Sequence, residues 1–332
     1  MAGDGAMSGI SDSFQRPISY LRISVTDRCN LRCIYCMPPE GVPLMPRTEI
    51  LGYEEISMVV RVAAGMGISK VRISGGEPLV RVDLVSLIKM LSQIKGIDDI
   101  SLTTNGVLLK YHAGELKEAG MQRVNVSLDT LRRERFKQIT GYDKLSDVLD
   151  GIEEARKVKL DPVKINMVVM RGKNDDEIVD FALLSREGWN VRFIELMPLL
   201  NNEGGHPEFV SAKEMWSIIT ASLGELESCS PPVGNGPASY YQLPGAVGTI
   251  GFITPVSSHF CFRCNRLRLT ADGRLLPCLL ADEEIDLRSP LRKGASSEEI
   301  RHLILQAIVS KPEGHRVEQG IVPRRSMTQV GG

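Results

Sequence analysis

Three things are scarce in this sequence of 332 residues. Excess charge is the first: 40 Lys and Arg stand against 41 Asp and Glu, for a net charge of −1. A chain without a basic field is poorly suited to nonspecific nucleic-acid binding. Long apolar runs are the second. The stretch around Met58–Val62 is already broken by Arg61, and none approaches the roughly 18 residues of a membrane span. Cysteine is the third: there are 7, too few and too clustered for a disulfide scaffold in a chain this long. Met1 to Phe14 carries neither the basic nor the apolar segment of a secretory signal. A reducing cytoplasm is therefore expected, where clustered cysteines serve metal or redox chemistry. Hydrophobic residues at 42% rule out disorder of the whole chain. The length allows one large domain or two ordinary ones.

Residues 1–14 read as a flexible leader. Strand-like and helix-like stretches then alternate. Short runs rich in Val, Ile and Leu predict strands at 20–26, 70–74, 99–103, 122–127, 162–170 and 190–196. Helical patterns lie near 54–65, 81–94, 108–119, 146–158, 175–187 and 212–223. Six strand–helix repeats favour a parallel α/β sheet with right-handed crossovers over 15–228. Composition alone does not separate an open sheet from a partial barrel. Ser, Pro, Gly and Asn crowd the stretch after it, predicting a linker over 229–239. A C-terminal α+β region over 240–332 follows, with strands near 240–243, 248–254 and 267–276 and helices at 282–293 and 296–310.

The unusual residues fall at one kind of place. Cys29, Cys33 and Cys36 follow the first strand, and Gly75-Gly76-Glu77-Pro78 the second. Thr103-Thr104-Asn105-Gly106 follows the third, Ser127-Leu128-Asp129 the fourth and Glu195-Leu196-Met197-Pro198 the sixth. These are the carboxyl ends of parallel strands, where barrels and open sheets place their active sites.

Cys29-x-x-x-Cys33-x-x-Cys36 puts three thiols on one loop. Structural zinc takes four ligands, and an iron–sulfur cube usually takes four cysteines. Three ligands leave one iron open to a substrate or cofactor, and iron–sulfur is the preferred reading over a zinc knuckle. The second trio is Cys261-x-x-Cys264 and Cys278; His259 is close enough in sequence to complete a zinc site instead. Cys229 reads as a bystander. Arg266 and Arg268 alternate on a strand, so both point to one face. Lys70 and Arg72 do the same on the second strand. Arg22 is on the first, Lys164 on the fifth and Arg192 on the sixth. Cations facing a barrel interior are costly unless an anion neutralises them.

The first cysteine spacing, with Tyr35 before the last cysteine and Gly75-Gly76-Glu77-Pro78 one strand later, resembles the radical S-adenosylmethionine (SAM) enzymes. Leu21 to Asn30, Cys36-Met37-Pro38, the second trio with Arg266-Leu267-Arg268 and the terminal Gly331-Gly332 look like the GTP 3′,8-cyclase family of molybdenum-cofactor biosynthesis. The resemblance runs from about Arg16 to the last residue. It implies an incomplete (β/α)6 barrel closed by a region with a second [4Fe–4S] cluster. It further implies that Cys29, Cys33 and Cys36 hold the SAM cluster, with Tyr35, Gly76, Ser127 and Met197 contacting SAM. Cys261, Cys264 and Cys278 would hold the second cluster, facing the guanine of GTP. Arg22, Lys70, Arg72, Thr103, Lys164, Arg192, Arg266 and Arg268 would bind GTP. The catalytic set is Arg266, Arg268 and the tail residues Gly331 and Gly332, whose lack of side chains permits close approach. The implied reaction cyclises GTP: a SAM-derived deoxyadenosyl radical takes the ribose 3′ hydrogen, the 3′ carbon attacks guanine C8, and reduction gives 3′,8-cyclo-7,8-dihydro-GTP. A reductant from an unidentified electron donor and a homodimer are part of the same expectation; membrane and nucleic acid are not. One departure stands out: the family usually has Thr before Gly-Gly-Glu-Pro, and here Ser74 keeps the hydroxyl alone.

Overall fold

The computed structural model describes residues 9–37, 41–197, 208–281, 283–315 and 325–331. Six strands alternate with helices: β1 (Tyr20–Ser24), β2 (Lys70–Ser74), β3 (Asp99–Thr104), β4 (Arg123–Ser127), β5 (Val163–Val169) and β6 (Asn190–Glu195). The intervening helices are α1 (Tyr53–Gly65), α2 (Leu84–Ser92), α3 (Leu109–Glu118), α4 (Arg133–Thr140), α5 (Leu145–Lys157) and α6 (Ile178–Leu183), with α7 (Ala212–Leu223) after the sixth strand. Every strand is parallel to its neighbour in this run.

The C-terminal region extends the same sheet. It supplies β7 (Glu227–Ser228), β8 (Ser239–Gln242), β9 (Thr249–Ile253), β10 (Arg266–Leu269), β11 (Arg274–Leu276) and β12 (Ile285–Asp286). Strand β10 pairs parallel with β1, and β9 parallel with β6. The order is β12-β11-β10-β1-β2-β3-β4-β5-β6-β9-β8-β7. The parallel core thus gains a strand on each side, and antiparallel hairpins cover both edges, which blunts them against pairing with other chains.

The sheet curls. Arg72 on β2 lies within electrostatic reach of Arg192 on β6. Four strand spacings of about 4.8 Å would separate them by roughly 19 Å on a flat sheet. The outer face packs on the helices through residues such as Leu21, Ile23, Val71, Ile73, Val124, Ile165 and Val191, all essentially inaccessible. The alternate residues face the barrel and are mostly polar or charged, so the strands are buried on both sides but apolar on one only.

Three local expectations differ from the structure. The stretch 267–276 is a hairpin and not one strand: Gly273, at φ +78°, closes a turn in which Thr270 N donates to Arg274 O at 2.8 Å. Residues 282–293 are not one helix. Ile285–Asp286 pairs with β11, and Asp286 then accepts from Ser289 N at the start of the short α8 (Arg288–Arg292). The polar stretch Arg133–Thr140 gives little apolar period, yet it forms α4 by burying Phe136 and Ile139. Helices α9 (Ser297–Val309) and α10 (Met327–Val330) complete the chain. The leader expected over 1–14 lies outside the described residues as far as residue 8; within 9–14, Asp12 is buried and accepts from Phe14 N and Arg16 N.

Gly151 shows how tightly the helical layer sits. A Cβ there would lie 2.6 Å from the Gly106 carbonyl. Gly151→Ala gains about 1 kcal/mol of helix propensity but forces backbone apart, and overpacking costs about 1–3 kcal/mol. The expected outcome is a lower urea midpoint with an unchanged slope; a raised midpoint would refute the close approach.

Candidate active site

The first cysteine trio is held from three directions. Backbone pairing continues past β1 and β2 into the loops: Val25 N donates to Ser74 O at 2.9 Å, Gly76 N to Thr26 O at 2.8 Å and Glu77 N to Arg28 O at 2.8 Å. A Cβ on Gly76 would lie 2.4 Å from the Arg28 carbonyl, so the glycine is needed for contact with the cysteine loop itself. On the other side, Arg32 N donates to Thr140 O and Ile34 N to Ile139 O, which docks the loop on the end of α4. From above β4, Asp129 accepts from the Tyr35 hydroxyl at 2.7 Å and from Val168 N at 2.8 Å. Asn105 reaches both Asn30 and the Cys29 sulfur.

Burial pushes the Cys36 thiol up to about 12 and raises Cys33 and Cys29; Cys33 is raised further by Cys36 beside it. Burial likewise lifts Asp129 to about 6 and Glu77 to about 7. Three thiols of one loop whose ionised forms are disfavoured need a cation to become thiolates, as metal coordination supplies. Glu77 accepts from Leu79 N, Thr104 Oγ1 and Asn105 N at 2.7–3.0 Å, so its part is to tie the second rim loop to the third.

Below the rim, the register lines up cations. Arg268, Arg22, Arg72, Ser101 and Arg123 stand side by side on β10, β1, β2, β3 and β4. Arg266, Tyr20, Lys70 and Asp99 form the next row. Lys164 and Arg192 face in from β5 and β6, and Arg192 donates to Asn125 Oδ1 at 2.6 Å. Burial, with the Arg268 charge next in weight, holds Arg22 well below the usual range. Burial brings Arg72 and Arg268 down to about 10 and Lys164 to about 6, where Arg192 and Arg123 add their repulsion. Asp99, an acid facing this interior, already pairs with Arg123. Several buried polar atoms here have no hydrogen-bond partner among the described residues: Tyr20 OH, Thr103 Oγ1, Asn166 Oδ1, Arg123 Nε and Nη1, and Arg192 Nε. Each costs on the order of 1–3 kcal/mol if left so. A cation-lined cavity with orphaned donors is built for a multiply charged anion.

The stretch expected as a linker enters this interior. Lys164 Nζ donates to Pro232 O at 3.1 Å and Val233 O at 2.7 Å; Lys70 Nζ donates to Asn235 Oδ1 at 2.8 Å. The second trio lies on the same side of the sheet as β10. Cys261, Cys264 and Cys278 line a cavity with Met197, His259, Arg266 and Arg268. Burial alone would raise Cys264, but Arg266 and Lys311 outweigh it and bring the thiol down to about 7. Among the described residues no group of three His, Cys, Asp or Glu side chains is close enough together to hold a single metal ion. His259 stacks edge-on against His315 at 5.3 Å between ring centres.

The structure thus brings together the expected cysteines and cations. Met197, expected to contact SAM, lines the cavity of the second trio. Ser127 faces the barrel beside Asn166. The tail also arrives: Arg268 Nη1 donates to Gly331 O at 2.7 Å, and a Cβ on Gly331 would lie 2.3 Å from Ser74 Oγ. Gly332 lies outside the described residues. Arg123 was not expected; its parity with Asn125 and Ser127 on one strand is the signal that finds it.

Known proteins agree with this geometry. Residues 23–184 match the radical SAM superfamily model, and 189–317 match Molybdenum Cofactor Synthesis C. The GTP 3′,8-cyclase of Pelotomaculum thermopropionicum is 54% identical over 97% of this chain and 100% of its own. That of Desulforamulus reducens is 52% identical over 97% and 99%.

The chain belongs to the GTP 3′,8-cyclase family.

It is therefore a radical SAM enzyme, and that family implies an iron–sulfur cluster and SAM. Solved structures show the fold from further away. Streptococcus suis SuiB bound to its precursor peptide SuiA superposes with a TM-score of 0.61 at 16% identity, over 90% of this chain and 67% of that one. The AdoMet-bound anSMEcpe gives 0.52 at 21%, over 62% of this chain and 58% of that one. The matched share of this chain is larger among the cyclases, which carry the C-terminal region along with the barrel.

Lys164 offers a direct test of the anion site. Its pKa near 6 leaves it mostly neutral at pH 8. An anion beside it favours the ammonium, so GTP binding at pH 8 is expected to take up protons. Calorimetry in buffers of different ionisation enthalpy measures that uptake. Lys164→Met should abolish its share and weaken binding about 30-fold or more; unchanged uptake would place the lysine away from the anion.

Proposed function

We propose that this chain converts GTP to (8S)-3′,8-cyclo-7,8-dihydroguanosine 5′-triphosphate, the first step of molybdenum-cofactor biosynthesis. The observation that carries the reading is the inward array of Arg22, Lys70, Arg72, Arg123, Lys164, Arg192, Arg266 and Arg268, facing Asp99 and flanked by two cysteine trios. Cys29, Cys33 and Cys36 would hold one [4Fe–4S] cluster with SAM, and Cys261, Cys264 and Cys278 a second. When bound, these groups supply the electron and the SAM-derived hydrogen acceptor that the cyclisation needs.

The chain's own residues do the positioning. Lys164, Lys70, Arg72, Arg123 and Arg192 neutralise the triphosphate at the amino ends and middle of the strands. Arg266 lies over the Phe260 ring at 4.9 Å, beside the second trio, and would guide the base toward it. Arg268 holds Gly331 against Ser74, so the tail closes the interior and sheds water from the reacting ribose. Thr103, Ser127 and Asn166 offer neutral polar contacts between the anion site and the rim. A donor of electrons is required, and seven unpaired thiols suit a reducing cytoplasm. Among the described residues no helix is long and apolar enough to cross a membrane.

The reconstituted protein, given SAM, a strong reductant and GTP without oxygen, should release 5′-deoxyadenosine and the cyclised nucleotide together. SAM cleavage with no modified nucleotide would reject the assignment. Arg266→Ala should weaken GTP binding about tenfold or more while SAM cleavage persists; loss of both clusters would make the arginine structural. Cys33→Ala should abolish SAM cleavage altogether.

A further inference from the structure

The second trio poses a packing problem. Cys261 sits in a single 3-10 turn, Cys264 in the loop before β10, and Cys278 in the loop after β11. Sheet hydrogen bonds do not fix any of the three. Two buried cations from the opposite ends of the chain do. Arg16 Nη1 donates to Cys261 O at 2.7 Å and Glu313 O at 2.8 Å, Nη2 donates to Pro312 O at 2.7 Å, and Asp12 holds the guanidinium through Nε at 2.6 Å. Lys311 Nζ donates to Arg266 O at 2.8 Å and Pro277 O at 2.6 Å, which ties the segment after Cys264 to the residue before Cys278. The Cys264 thiol lies within electrostatic reach of the same ammonium.

The two cations differ in charge balance. Arg16 has Asp12. Lys311 is 3% exposed, and among the described residues no carboxylate pairs with it; the ionisable groups around it are Cys264, Cys278 and Arg16. A buried ammonium without a carboxylate is strongly unfavourable unless another negative group offsets it. Thiolates of Cys264 and Cys278 holding a metal would be that group.

We propose that Lys311 is a positioning residue for the second iron–sulfur cluster: it clamps the Cys264 and Cys278 segments together and sets an ammonium against their sulfurs. The cluster's reduction potential then depends on a lysine outside its ligand set, since net charge and hydrogen bonds to sulfur set such potentials. Removing the charge makes the added electron less favourable.

This rests on the two-cluster reading, and the experiment separates the two. The full chain is reconstituted as wild type, Lys311→Met, Lys311→Gln and Lys311→Arg. Iron per chain, a redox titration followed by electron paramagnetic resonance, and uncoupled SAM cleavage are measured. If wild type takes up the iron of one cluster only, the two-cluster reading fails. If it takes up both, the neutral variants should show either a lower midpoint potential for the second cluster or selective loss of its iron. SAM cleavage should persist, and Lys311→Arg should restore the potential or the iron. Neutral variants with full iron and an unchanged midpoint would overturn the proposal. So would loss of both clusters from Met and Gln variants alike, which would make Lys311 a general core strut.

Discussion

A parallel barrel that turns arginines and lysines inward has to meet their charge with something. The row Arg268-Arg22-Arg72-Ser101-Arg123 places like charges on adjacent strands, and Arg266 and Lys70 flank Tyr20 in the next row, in a largely buried space. Burial first, and repulsion among the cations after it, lower the affinity of Arg22, Arg72, Arg268 and Lys164 for protons. The apolar face of the same strands, packed on the helices, supplies the stability that holds the array in place. Function and fold share each strand by parity: one face binds the helices and the other binds charge.

Much of this was legible because parity and strand ends are written directly in sequence. Lys70 and Arg72, or Arg266 and Arg268, can only share a face if the segment is a strand. The six core strands were placed within a residue or two for the same reason. What escaped were features that depend on partners distant in the chain. The pairing of β10 with β1 and of β9 with β6 makes the C-terminal region part of the barrel sheet, and no local pattern carries that register. Helix α4 buries only a narrow stripe, so its polar sequence concealed it. Arg123 lies on β4 with no motif around it, so only its strand parity marks it as facing the interior.

The rim motifs also changed meaning. Gly76 permits the backbone of Arg28 to pass, and Glu77 bonds to Thr104 and Asn105. These residues therefore build the cysteine loop's platform before they touch any cofactor. The Tyr35 hydroxyl is likewise engaged by Asp129. A motif read as ligand contact is here also a set of joints between neighbouring loops.

The segment from Pro232 to Asn235 has a thermodynamic consequence. Lys164 and Lys70 are not waiting in bulk water; they are already solvated by two carbonyls and an amide of their own chain. An incoming anion must exchange for these partners, so its net affinity is a difference between two sets of hydrogen bonds. A singly charged ion gains little in such an exchange, whereas a chain of phosphates recruits several cations at once and more than replaces what it displaces. Selection for polyphosphate can thus come from what the protein offers its own lysines as an alternative.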